Sequence, residues 1–177
     1  MSPRGSVRSI GNLVWIAISL ALGASGPASA ALGDCMQIDA KGAASILGVP
    51  VRATANQGHS KLPPDNTDLL SCLYLEATPS PTARMLTYQI YTPIPKDLAS
   101  VYASVANGNF PRKQVFTPNV GEQSSGWFRS GLSDSKFEGS VAMQSGTTVL
   151  VIKIAGMPSS DAVKNALISA GKILAKP

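Results

Sequence analysis

Residues 147–154 read TTVLVIKI, and in this run Leu150, Ile152 and Ile154 alternate with Val149, Val151 and Lys153. Successive side chains of a β-strand point to opposite faces. One face of this segment is therefore wholly apolar and the other nearly so, which places it at the centre of a sheet. Just upstream, Ser145-Gly146 supplies a hairpin turn back to a second strand candidate at residues 137–144. Downstream, Pro158-Ser159-Ser160-Asp161 opens a helix in which Val163, Ala166, Leu167, Ala170, Ile173 and Leu174 recur with helical spacing over three turns. That helix needs a surface to cover.

The rest of the chain supplies the other elements. Asp39 suits an N-cap, and Ala40, Ala43, Ala44, Ile46 and Leu47 form a short apolar face that Gly48 and Pro50 terminate. Residues 52–67 (RATANQGHSKLPPDNT) hold one leucine and no periodicity, so they read as a loop, the most mobile ordered part of the chain. Residues 70–77 and 85–92 are rich in β-formers and flank the turn Thr78-Pro79-Ser80-Pro81, which implies a hairpin. Pro95 suits the first turn of a helix carrying Leu98, Val101, Tyr102 and Val105 and stopped by Asn107-Gly108. Residues 109–124 contain two prolines and little pattern; Val115 and Phe116 there read either as a short strand or as packing beneath a loop. A further strand candidate follows at 126–130. The order α, β, β, α, β, β, β, α implies an α+β sandwich, a mainly antiparallel sheet covered by helices.

The first thirty residues read as a secretory signal. Arg4 and Arg8 make a positive start without acids, residues 13–24 (LVWIAISLALGA) are apolar, and Ala28-Ser29-Ala30 offers small residues for cleavage. Twelve apolar residues span about 18 Å as a helix, short of the roughly 30 Å needed to cross a bilayer core. The arginines are not adjacent, which argues against a twin-arginine signal. Asp34 before Cys35 does not suit lipoprotein processing. The expected product is a periplasmic or secreted chain beginning at Ala31, with no transmembrane anchor and residues 31–177 forming a single domain. In an oxidising compartment Cys35 and Cys72, the only cysteines, are expected to form a disulfide. A redox pair is the weaker alternative, because no CxxC spacing lowers a thiol pKa.

Fifteen basic residues against ten acidic ones give +5 for the whole chain, and losing Arg4 and Arg8 with the signal leaves +3. The remaining basic residues are scattered, and only Arg112-Lys113 are adjacent. Nucleic-acid binders concentrate Lys and Arg on one face, so no nucleic-acid partner is implied. His59 is the sole histidine, lies in a polar stretch, and reads as solvated; no metal or other cofactor is expected. Gly131-Leu132-Ser133-Asp134-Ser135 approaches the GxSxG nucleophile elbow but ends in serine, and it reads better as a hairpin loop. Glu122, Asp134 and Glu138 are candidates for a paired-carboxylate site, but two of them lie in or near turns, where acids are normally solvated. No phosphate-cradling glycine motif is present. Trp127 and Phe128 must point to opposite sides of their strand, with Trp127 most simply packed under a helix, and Tyr88 and Tyr91 likewise face opposite ways. Phe110 and Phe116 flank Arg112-Lys113 in a proline-bearing loop. With Trp127 these residues could rim an apolar cleft for a small ligand or a partner's side chain.

Several segments together resemble small exported bacterial domains of unknown function. They are Cys35 shortly before a helix ending in Leu47-Gly48, Ser71-Cys72-Leu73-Tyr74, the turn Val120-Gly121-Glu122-Gln123-Ser124 before Trp127, and a terminal hairpin plus helix. The resemblance implies a PsbP-like α/β/α sandwich. Members often carry a lipid on a cysteine, whereas this chain lacks the lipobox. It also implies an accessory or binding role, and no catalytic residue comes with it. The expected function is thus an exported, non-catalytic module that binds an envelope protein or a small ligand through residues 52–67, residues 109–124 and nearby aromatics. The rivals are an inhibitor of a secreted enzyme, presenting the disulfide-based loop, and an envelope hydrolase using Ser133 with His59.

Overall fold

The computed structural model describes residues 35–54, 58–63, 67–98, 112–131 and 136–176. Among them are two helices and eight strands, all antiparallel, with one disulfide. The signal segment 1–30 lies outside the described residues, as does most of the helix expected after Pro95.

The chain opens with α1 (Ala40–Leu47), whose first turn is held by Asp39 accepting a hydrogen bond from the Gly42 amide at 2.7 Å. Four strands follow: β1 (Val51–Ala53), β2 (Gly58–Leu62), β3 (Thr67–Glu76) and β4 (Met85–Thr92). The second half is β5 (Gln114–Phe116), β6 (Gln123–Ser130), β7 (Phe137–Ser145) and β8 (Thr148–Met157), closed by α2 (Ser160–Leu174). Ser159 caps α2 by accepting from the Ala162 amide at 3.1 Å. The sheet order is β1-β3-β4-β8-β7-β6-β5, with β2 also on β3. Each half is therefore a run of locally paired strands, and β4 against β8 is the seam between them.

β8 is central, as its two apolar faces require. Leu150, Ile152 and Ile154 enter the main core with Val141 and Met143 of β7 and Leu86 and Tyr88 of β4. On the same side, α2 contributes Val163, Ala166, Leu167 and Ala170, and α1 contributes Ala43 and Leu47. Gly139 lets α2 lie close to the sheet: a Cβ there would stand 2.7 Å from Val163 Cγ1 and 2.6 Å from the Trp127 carbonyl oxygen. The β7–β8 turn works because Gly146 takes φ 56°, a left-handed conformation that glycine adopts freely.

Two expectations need correction. Residues 52–67 are not one loop, since β1 and β2 lie end to end along β3, pairing Val51 with Glu76 and His59 with Leu70. An edge strand takes its hydrogen bonds from one neighbour and needs no apolar alternation, so its sequence resembles a loop. The expected strand order accordingly gains β1 and β2, and Val115-Phe116 fall on the short strand β5. Ile173 is not core: it is 36% exposed, and Gly171 occupies the inward position beside it.

Cys35 and Cys72 form the expected disulfide, with Cα atoms 5.9 Å apart and both residues buried. Beside it the Tyr74 hydroxyl donates to the carbonyl of Ile38 at 2.6 Å and contacts that of Cys35 at 3.3 Å, pinning the approach to α1 onto β3. Burial, then the Asp39 charge, raises the Tyr74 pKa. Burial, then Tyr74 itself, raises that of Tyr88, whose hydroxyl lies near the Ile38 carbonyl without reaching hydrogen-bonding geometry. A phenol whose folded pKa exceeds its unfolded value of about 10 contributes stability that is complete below that pH and lost as pH rises through the folded value. Melting temperature should therefore fall above about pH 10. Tyr74→Phe should cost about 1–3 kcal/mol at neutral pH by stranding a buried carbonyl, and should flatten the alkaline fall. Thermal melts across pH on both proteins test this, and an unchanged alkaline slope would exclude Tyr74 as its source.

Candidate functional site

The two helices meet on the main-core side of the sheet and leave a groove of about 460 Å³ between them. Its apolar lining comes from Ile46 and Leu47 of α1, Met157 at the end of β8, and Ala166 and Ile173 of α2. Ser45, Asn165 and Ser169 supply polar groups, Ser169 lying four residues after Asn165 on the same side of α2. Arg84, just before β4, reaches across the C-terminus of α1 and donates from Nη1 to the Leu47 carbonyl at 2.5 Å. Its own backbone N–H donates to Glu76 Oε2 at 2.9 Å, which holds this arginine in place. Small residues at Gly42, Ala162 and Ala166 keep the floor open. The volume lies within the range of roughly 300–1,000 Å³ common for small-molecule sites.

The residues singled out in the sequence do not converge there. Phe110 lies outside the described residues. Arg112 is exposed with a left-handed backbone, φ 60°, and Lys113 is half-buried ahead of β5. Phe116 lies across Gly126 and meets Phe128 edge-on, ring centroids 5.9 Å apart, so it packs against the main core. Trp127, 7% exposed, is on the opposite face with Ala142, Val151 and Tyr91. Phe116 and Trp127 are thus separated by the sheet. Phe128 rather than Trp127 faces α2, and Lys164 stands 5.0 Å above its ring. Tyr88 and Tyr91 do take opposite faces, Tyr88 in the main core and Tyr91 against the Trp127 cluster.

The candidate acids have structural partners. Glu138 pairs with Arg129 across β6 and β7, the Arg129 Nε to Oε1 distance being 2.6 Å. Glu122 accepts from the Gly146 amide at 3.0 Å, bracing the β7–β8 turn. Asp134 and Ser133 fall outside the described residues. The described residues on either side are joined by the Gly131 amide donating to the Lys136 carbonyl at 2.6 Å, where the antiparallel strands β6 and β7 meet. His59 is exposed on the edge strand β2.

Arg84, Ile46 and Ile173 were not recognisable as a group in the sequence. The one available signal was Ile173, which extends the apolar arc of α2 beyond what a single packing surface needs.

The described residues define an α+β domain with an antiparallel sheet and one buried disulfide. Among the described residues no helix is long and apolar enough to cross a membrane. The chain matches no family model, and no curated protein matches it significantly.

Proposed function

We propose that this chain is an exported, non-catalytic binding module of the cell envelope, of the PsbP-like kind its sequence resembles, that takes a small, largely apolar ligand between α1 and α2 on one face of the sheet. The observation that carries the reading is the groove, whose apolar floor is bounded by Arg84 and a few exposed polar side chains and whose volume suits a small molecule. The sequence resemblance favours an accessory role, and the Cys35–Cys72 disulfide is compatible with an oxidising compartment. Signal cleavage near Ala30 completes the proposal.

Ser169 offers a direct test, because it is exposed on the groove rim and tolerates substitution without entering the core. Native mass spectrometry of the protein isolated from envelope extract should show a retained small molecule, and Ser169→Trp should abolish retention while leaving the melting temperature nearly unchanged. Equal retention by both proteins, or none by either, would overturn the assignment of the groove.

A further inference from the structure

Arg84 is the only charged residue among those lining the groove. Arg84 is half-buried, and among the described residues no carboxylate pairs with its guanidinium. Glu76 receives the backbone amide of Arg84, and Leu47 takes a single side-chain donor. A guanidinium carries five N–H donors in a planar fork, and among the described residues a single acceptor, the Leu47 carbonyl, meets it. A cation set in an apolar wall is poorly solvated, and a carboxylate restores what burial removes, through two parallel hydrogen bonds. Beyond Arg84 the lining turns apolar along Leu47, Ala166 and Ile173, and Ile173 is one of the few large apolar side chains exposed among the described residues.

From this charge pattern we infer that the ligand is a single-chain fatty acid, its carboxylate on Arg84 and its alkyl chain lying between the helices. The inference rests on the proposed binding role of the groove and adds the chemistry of the occupant. An uncharged peptide side chain or a neutral lipid would leave the arginine without its counter-charge. The exposed position of Ile173 is then accounted for, since it would cover the alkyl chain rather than fill the core.

Decanoate and decanol separate the two levels of the argument. Titrated into the oxidised protein and followed by amide chemical shifts, decanoate should perturb Ala166 and Ile173 and bind at least roughly tenfold tighter than decanol, the gain expected from a charge-assisted hydrogen bond. Arg84→Gln should erase that preference. Because the variant also alters the Leu47 contact, the comparison of the two ligands on the unaltered protein decides the matter even where the variant fails to fold. Equal binding of both ligands would overturn the fatty-acid inference and leave the groove standing as a site. Absence of any shift at Ala166 and Ile173 with either ligand would overturn the groove as well.

Discussion

Replacing Cys35 and Cys72 together by serine should lower stability by about 3–4 kcal/mol, the chain-entropy value for opening a loop of this size. The two residues are 37 apart in sequence, and their bond ties the segment before α1 to the middle of β3. Without it, that segment is held by the Tyr74 hydroxyl bonds and the few contacts of α1, so the loss should appear first as fraying of α1 and β1. Equilibrium unfolding in urea with and without reductant, with hydrogen exchange at Ala43 and Leu47, reads both effects. A shift below about 1 kcal/mol would mean that the unfolded chain is already constrained there. The same experiment bears on compartment, because a fold that needs this bond is ill suited to a reducing one.

The second large effect is expected at Leu167. Its side chain is fully buried between α2 and the sheet, beside the site where Gly139 lacks a Cβ. Leu167→Ala should cost about 2–5 kcal/mol, since the flat backbone surface opposite cannot collapse into the space. Ile173→Ala, six residues further along the same helix, should cost less than about 1 kcal/mol because the side chain is already partly solvated. Chemical unfolding of the two variants gives the comparison. Equal losses would place Ile173 in the core after all and remove it from the groove.

Leu167 and Ile173 show where sequence reasoning succeeded and where it stopped. α1, α2 and β8 were legible because a one-sided helix and a two-sided strand leave distinct periodicities, and their caps at Asp39 and Ser159 are local chemistry. Helical spacing places Ile173 with Leu174 and Ala170, yet it cannot tell a residue facing the sheet from one facing a neighbouring helix. β1 and β2 were hidden because their order comes from β3, whose ten residues offer an edge for them to pair with. The disulfide was readable from cysteine count and compartment alone. The groove was not, since Arg84 and Leu47 are 37 residues apart and only the packing of α1 against α2 brings the site together. Aromatic residues near Arg112 drew attention for their chemistry, but the alternation of β5 and β6 sends Phe116 and Trp127 to different sides.

The seam between β4 and β8 joins strands farther apart in sequence than any other pairing of the described sheet. Within each half, partners are close in sequence and their loops close quickly. Joining the halves aligns Met85 with Ala155 and Tyr91 with Val149, the most distant pairings in sequence among the described strands. The strand in the middle of the sheet is thus the last one synthesised, and the core has no centre until residue 157 is available. A chain threaded through a secretion channel in order from its N-terminus could not complete its sheet while β8 was still behind the barrier. Emerging in order from the N-terminus, the sheet therefore stays open at its middle until β8 is free to pair on both sides.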